Sequence, residues 1–96
     1  MGDKVPWVID YVDDSTGLIT IAKGQLGHKI CEVNFGRKEG KRSVEVALKI
    51  CRAVNSMEGR SRCKPLDSRT VAMLGKMAGK IWTVDEAMKE MGLETI

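Results

Sequence analysis

The spacing of hydrophobic positions along the 96-residue chain changes period once, near residue 36. Before that point the period is two. Residues 6–12 place Trp7, Ile9 and Tyr11 on one face against Val8, Asp10 and Val12 on the other. Asp13-Asp14-Ser15-Thr16-Gly17 then reads as a turn, since Asp and Ser bond their own backbone and Gly tolerates positive φ. Residues 18–23 form a β-branched run and Gly24-Gln25-Leu26-Gly27 a second turn. Residues 28–35 set Cys31, Val33 and Phe35 against Ile30, Glu32 and Asn34. Short connections between period-two runs predict an antiparallel meander.

After residue 36 the period is that of a helix. Residues 36–42 read as a polar basic loop, with Ser43 as N-cap because its hydroxyl accepts an orphan backbone N–H. Val44, Ala47, Leu48, Cys51 and Val54 then make an apolar stripe opposite Glu45, Lys49, Arg52 and Ser56. A second basic loop spans residues 58–65. Asp67 or Ser68 caps another helix through Val71, Leu74, Ala78 and Ile81. Gly75 and Gly79 interrupt it at about 1 kcal/mol each relative to Ala, either for close approach or, at Gly79, as a stop. Thr83 and Glu86 are spaced as a capping box, and Gly92 as the residue that ends the last helix near Met91.

The order β-β-β-α-α-α predicts an α+β fold: a three-stranded antiparallel sheet, a packing helix and a two-helix C-terminal tail. Chain length allows one domain over residues 1–96, with sheet and main helix in 1–57 and the helical tail in 66–96.

Composition narrows the classes. Trp7, Tyr11, Phe35 and Trp82 are the whole aromatic supply, so aliphatic residues and six Met must fill the core. Cys31, Cys51 and Cys63 form no close pair, and His28 is the only histidine, so no structural zinc site is expected. Cys31 and Cys51 fall on expected buried faces, while Cys63, between the cations Arg62 and Lys64 that can lower a thiol pKa, reads as an incidental surface thiol rather than a reactive one. With no apolar run near the ~20 residues of a membrane span and no leader-like start, a cytoplasmic protein is the expectation.

Charge placement says more than net charge. Residues 1–36 carry a net −2 and residues 65–96 a net −1, whereas residues 37–64 hold nine basic against three acidic side chains, a net +6. The candidate partner-binding residues are therefore Arg37, Lys38, Lys41, Arg42, Lys49, Arg52, Arg60, Arg62 and Lys64. They form an electrostatic footprint for phosphates or an acidic protein surface, or a solvated helix face with its loops. The two loops stand ~20 Å apart across a helix of about 14 residues, so Lys49 and Arg52 must bridge them. No exposed aromatic is expected among these charges, which leaves base stacking without its usual residues.

Catalytic constellations are missing from the sequence. Gly24-Gln25-Leu26-Gly27 lies between strands rather than before a helix, so it is no phosphate cradle. A single His makes a triad improbable, and Asp13-Asp14 is explained by its turn. No catalytic residue, cofactor or metal is expected, and the chain reads as a non-enzyme.

Residues 43–56, closing on Ala53-Val54-Asn55-Ser56, resemble a helix of small bacteriophage-encoded proteins in which two or three strands lead into a similar Ala-Val-Asn-Ser run. The resemblance spans residues 7–57. It departs at Val46, where the phage pattern places Asn or a small residue, and it carries over no functional residue. It implies an accessory protein, of a kind that includes anti-CRISPR and other anti-defence inhibitors. Thr83-Val84-Asp85-Glu86-Ala87 with Gly92-Leu93 is also similar to the opening of helix-turn-helix segments, but without a following recognition helix a capped helix is expected.

Two functions follow as expectations. One is non-catalytic inhibition or modulation of a host protein or ribonucleoprotein complex, a CRISPR-Cas or other defence nuclease among them. The other is nucleic-acid binding through residues 37–64. A homodimer through Met73, Met77, Met88 and Met91 with Gly75 and Gly79 is compatible with either.

Overall fold

The computed structural model describes residues 5–24, 28–59 and 66–93. It shows the β-β-β-α-α-α order: β1 (Trp7–Asp13), β2 (Leu18–Lys23) and β3 (Lys29–Val33), then α1 (Gly40–Met57), α2 (Ser68–Ala78) and α3 (Val84–Glu90). The strands make one antiparallel sheet in the order β1-β2-β3. The fold is α+β.

Simple alternation fails in β1. A bulge at Asp10 shifts the register, so that Ile9 pairs with Ile21 and Val12 with Ile19. Paired residues share a face, so Ile9 and Val12 lie together with Ile19 and Ile21, while Tyr11 joins Val8. The expected Trp7-Ile9-Tyr11 face is thus broken after Ile9, and Tyr11 is exposed. A second irregularity at Ile30 brings Lys29 and Glu32 to the same face of β3. Residues three apart point to opposite faces of a regular strand; here the bulge lets them form an ion pair at 3.1 Å. β3 ends at Val33, leaving Phe35 outside the strand and 41% exposed.

Turn chemistry is as the residues dictate. Gly17 N–H bonds the Asp13 carbonyl at 2.9 Å, and the Asp13 carboxylate accepts from the Ser15 N–H and hydroxyl. A Cβ on Gly17 would stand 2.6 Å from the Gly36 carbonyl oxygen. The β1–β2 turn is therefore pressed against the link into α1. The turn at residues 24–27 and the loop at 58–65 fall largely outside the described residues.

The start of α1 differs from expectation. A 3₁₀ turn over Arg37–Glu39 runs directly into the helix at Gly40, which makes 18 residues, about 27 Å. Ser43 is not the cap. It is buried inside the first turn, where its hydroxyl donates to the Glu39 carbonyl at 3.2 Å and accepts from Phe35 N–H at 3.1 Å. It ties strand exit to helix entrance.

α2 begins at Asp67, whose carboxylate accepts from Thr70 N–H at 2.6 Å, and stops at Gly79 in the left-handed region, φ 73°. Lys80 N–H returns to the Gly75 carbonyl at 2.9 Å and Gly79 N–H to Lys76 at 3.3 Å, closing the helix end. The expected stripe through Ile81 is thereby cut at Ala78, and Ile81 is 97% exposed. Thr83 caps α3 through Glu86, and Gly92 and Leu93 close it onto Lys89 and Met88.

One core joins all of this. Ile9, Ile19 and Ile21 of the sheet, Val44, Ala47 and Cys51 of α1, Leu74 of α2 and Met88 and Met91 at α3 belong to a single cluster. Met88 and Met91 are spent in that core and Met73 and Met77 are half-buried, so the Met-rich face expected for self-association is mostly interior.

Candidate partner-binding face

The helix carries its basic residues in a line set by its pitch. With about 100° between successive residues, Lys41 and Arg52 lie within about 20° of each other and Lys49 about 80° away. Apolar Val44, Ala47, Leu48 and Cys51 take the buried side, so the cations face outward. Arg37 and Lys38 continue the line on the 3₁₀ turn, and all six described candidates are exposed.

Docking of α2 and α3 against α1 divides the line into two cavities. At the upper end Arg37, Lys38 and Lys41 share a cavity of about 590 Å³ with Lys76 of α2 and Asp14 of the β1–β2 turn. Lys76 is held there by Asp14 at 2.9 Å. Farther along, Lys41, Lys49 and Arg52 line a groove of about 160 Å³ with Lys80, Trp82, Glu45 and Glu90. Lys41 belongs to both, so the basic strip is continuous along α1. Arg42 lies apart, with its guanidinium 4.5 Å from the centroid of Phe35. Arg60, Arg62, Lys64 and Cys63 lie outside the described residues.

Among the described residues Arg37, Lys38, Lys41, Lys49 and Arg52 enter no ion pair. Four cations, Arg37, Lys38, Lys41 and Arg42, crowd the start of α1, whose first turn has no acidic residue and no side-chain cap. The helix dipole disfavours positive charge there by a few tenths of a kcal/mol per residue. Glu39 is the nearest counterweight.

Two aromatics stand among these charges, contrary to the sequence expectation. Trp82 is half-buried with the Lys80 ammonium 4.8 Å from its ring centroid, and Phe35 is exposed beside Arg42. The sequence pattern places Phe35 on a sheet face and Trp82 on no face at all. Lys76, Lys80 and Trp82 were missed as part of the strip because only the packing of α2 on α1 brings them there. The stop at Gly79 is the one sequence signal that places residues 80–82 off the helix.

The Asp13 and Asp67 carboxylates and the Cys51 thiol have structural roles. Asp13 and Asp67 have carboxyls held below the usual range by hydrogen bonds, Asp13 from Ser15 and Asp67 from Thr70. Burial pushes the Cys51 thiol up to about 12, with Cys31 nearby adding to the rise. No helix among the described residues is long and apolar enough to cross a membrane. Comparison with protein-family models, curated proteins and solved structures returns no match for this chain.

Proposed function

We propose that this protein binds a host macromolecular complex and modulates it by non-catalytic contact, with the basic strip of α1 as the contact surface. The observation that carries the reading is the strip itself. Arg37, Lys38, Lys41, Lys49 and Arg52 stand exposed and, among the described residues, without ion-pair partners, and the first three do so at a helix start whose dipole opposes them. An acidic partner surface would supply the missing counter-charge and steer association. The likeness of residues 43–56 to a helix of small bacteriophage proteins points the target toward a host defence complex, a CRISPR-Cas nuclease among them.

The test is affinity purification from the host bacterium with and without nuclease treatment, using wild type and a Lys49→Glu, Arg52→Glu variant. A stoichiometric protein that survives nuclease and is lost from the variant supports the reading. A partner retained at full strength by the variant, and by charge reversal of Arg37, Lys38 and Lys41, refutes the site.

A second reading has its own observation. Phe35 beside Arg42 and Trp82 beneath Lys80 pair aromatic faces with cations, as surfaces that hold nucleic acid do. It requires binding to single-stranded or duplex nucleic acid that falls steeply with salt. No binding at low salt removes it.

A further inference from the structure

Beside the basic strip lies a third concavity, lined by none of the described candidate residues. It is a groove of about 570 Å³ between α2 and the link into α3. Val71, Ala72, Ile81, Trp82 and Val84 supply its apolar lining. Among the described residues, Lys76 and Lys80 are its only charged lining residues. Asp85 and Glu86 lie just beyond on α3, but neither lines the groove, and Glu86 is engaged with Thr83.

Ile81 is the unusual element. It is 97% exposed, in a five-residue link, Gly79 to Thr83, fixed at both ends. Gly79 closes α2 with the Lys80 N–H on the Gly75 carbonyl, and Thr83 starts α3. The side chain is therefore presented by a short, bonded segment rather than by a long loop. A pre-positioned apolar residue beside a half-buried Trp is the arrangement of an interface anchor, since little further ordering is lost on binding.

We infer that this groove seats a bulky apolar side chain from an acidic segment of a partner protein. The inference rests on the proposed protein-binding function and adds where the partner is anchored and what flanks the anchor. Charge selects the occupant. Both lining charges are positive; Asp14 already pairs with Lys76, so Lys80 carries the selection, and Lys80 and Trp82 also line the groove beside Lys49 and Arg52. A partner segment with carboxylates around an aliphatic or aromatic residue meets both surfaces at once. A two-fold contact with a second copy would instead bring Lys76 and Lys80 against their own equivalents. Nucleic acid offers the cations a partner but leaves Ile81 in water.

A random dodecapeptide display library provides the probe. It is selected on the full-length wild-type protein alone, and Ile81→Asp, a surface change that leaves the core untouched, is kept for the measurements. The enriched peptides are then measured on wild type, Ile81→Asp, Ile81→Leu, Lys80→Glu, and the double variant Lys49→Glu, Arg52→Glu. The expected peptides combine a bulky apolar residue with Asp or Glu. Ile81→Asp weakens them about tenfold or more, as loss of an anchor does, whereas Ile81→Leu keeps them and Lys80→Glu weakens them. Peptides that bind Ile81→Asp as well as wild type, an enriched set that is basic, or no enrichment overturns the inference. So does a concentration-dependent wild-type dimer that Ile81→Asp dissolves, which would give the groove to a second copy. Sensitivity to the α1 double variant alone sinks the groove and leaves the basic strip standing. Sensitivity to Ile81→Asp alone does the reverse.

Discussion

Asn55 holds Trp7 by both of its backbone polar groups. The Asn55 Oδ1 accepts from Trp7 N–H at 2.8 Å and its Nδ2 donates to the Trp7 carbonyl at 3.0 Å. Nδ2 also reaches the Met91 carbonyl at 3.3 Å, and the side chain is 1% exposed. One amide thus replaces the missing neighbour of β1 and ties it to α1 and the end of α3.

Removing that amide strands a buried N–H and two carbonyls. Asn55→Ala is expected to lower stability by roughly 2–3 kcal/mol, since each unsatisfied buried group costs about 1–3. Urea unfolding followed by Trp fluorescence checks this. A loss under half a kcal/mol would show that water takes over the bonds.

Gly75 and Gly79 separate two reasons for a helix glycine. A Cβ at Gly75 would stand 2.5 Å from the Lys80 carbonyl oxygen, whereas at Gly79 it meets nothing within 4 Å but the backbone is left-handed. Gly75→Ala should destabilise even though Ala gains about 1 kcal/mol of propensity in an ordinary helix interior. Gly79→Asn should be tolerated better than Gly79→Val, because Asn visits the left-handed region and a β-branched residue does not. Thermal melts of the three variants rank them.

Acid sensitivity has a sign fixed by Asp67. Its folded pKa is lowered by accepting the Thr70 backbone N–H. The stabilisation is therefore present above the ordinary carboxylate value of about 3.9 and is lost as pH falls through the lowered folded value. Asp67→Asn keeps a capping oxygen without the titration, so its stability should fall less steeply below about pH 4. Equal slopes for the two proteins would dissociate the cap from the acid limb.

Cys51 behaves oppositely. Its folded pKa is raised to about 12, mainly by burial. The stabilisation is full below the unfolded thiol pKa, about 8.5, and is lost as pH rises through that value toward the folded one. In a Cys63→Ser protein at about pH 8, iodoacetamide should modify half-buried Cys31 before Cys51, which reacts only on unfolding. Equal labelling rates would mean that the core opens at Cys51.

The parts of this fold legible in the sequence are those written locally. Asp67, Thr83 and Gly92 signal helix ends through their own backbone bonds, and the Asp13–Gly17 turn does the same for the hairpin. The Asp10 bulge left no such mark, because it is decided by which residues β2 presents. The start of α1 is illegible because Gly36, Gly40 and five charged residues look like a loop, yet Ser43 and Asn34 bond the backbone there. Lys49 and Arg52 follow from helical spacing, whereas Lys41 reads as part of a loop and joins their line only because α1 starts at Gly40. Lys76, Lys80 and Trp82 join them only through tertiary packing, which no local pattern records.

The irregular strand β3 leaves a different mark on the molecule's behaviour at high concentration. β3 is an edge strand, a template on which another chain could add a strand. Its bulge bends the ladder at Ile30 and brings Lys29 and Glu32 out together, so an incoming strand meets a broken register and an ion pair to displace. With Asn55 occupying the opposite edge at Trp7, the small sheet resists growing into a fibril from either side.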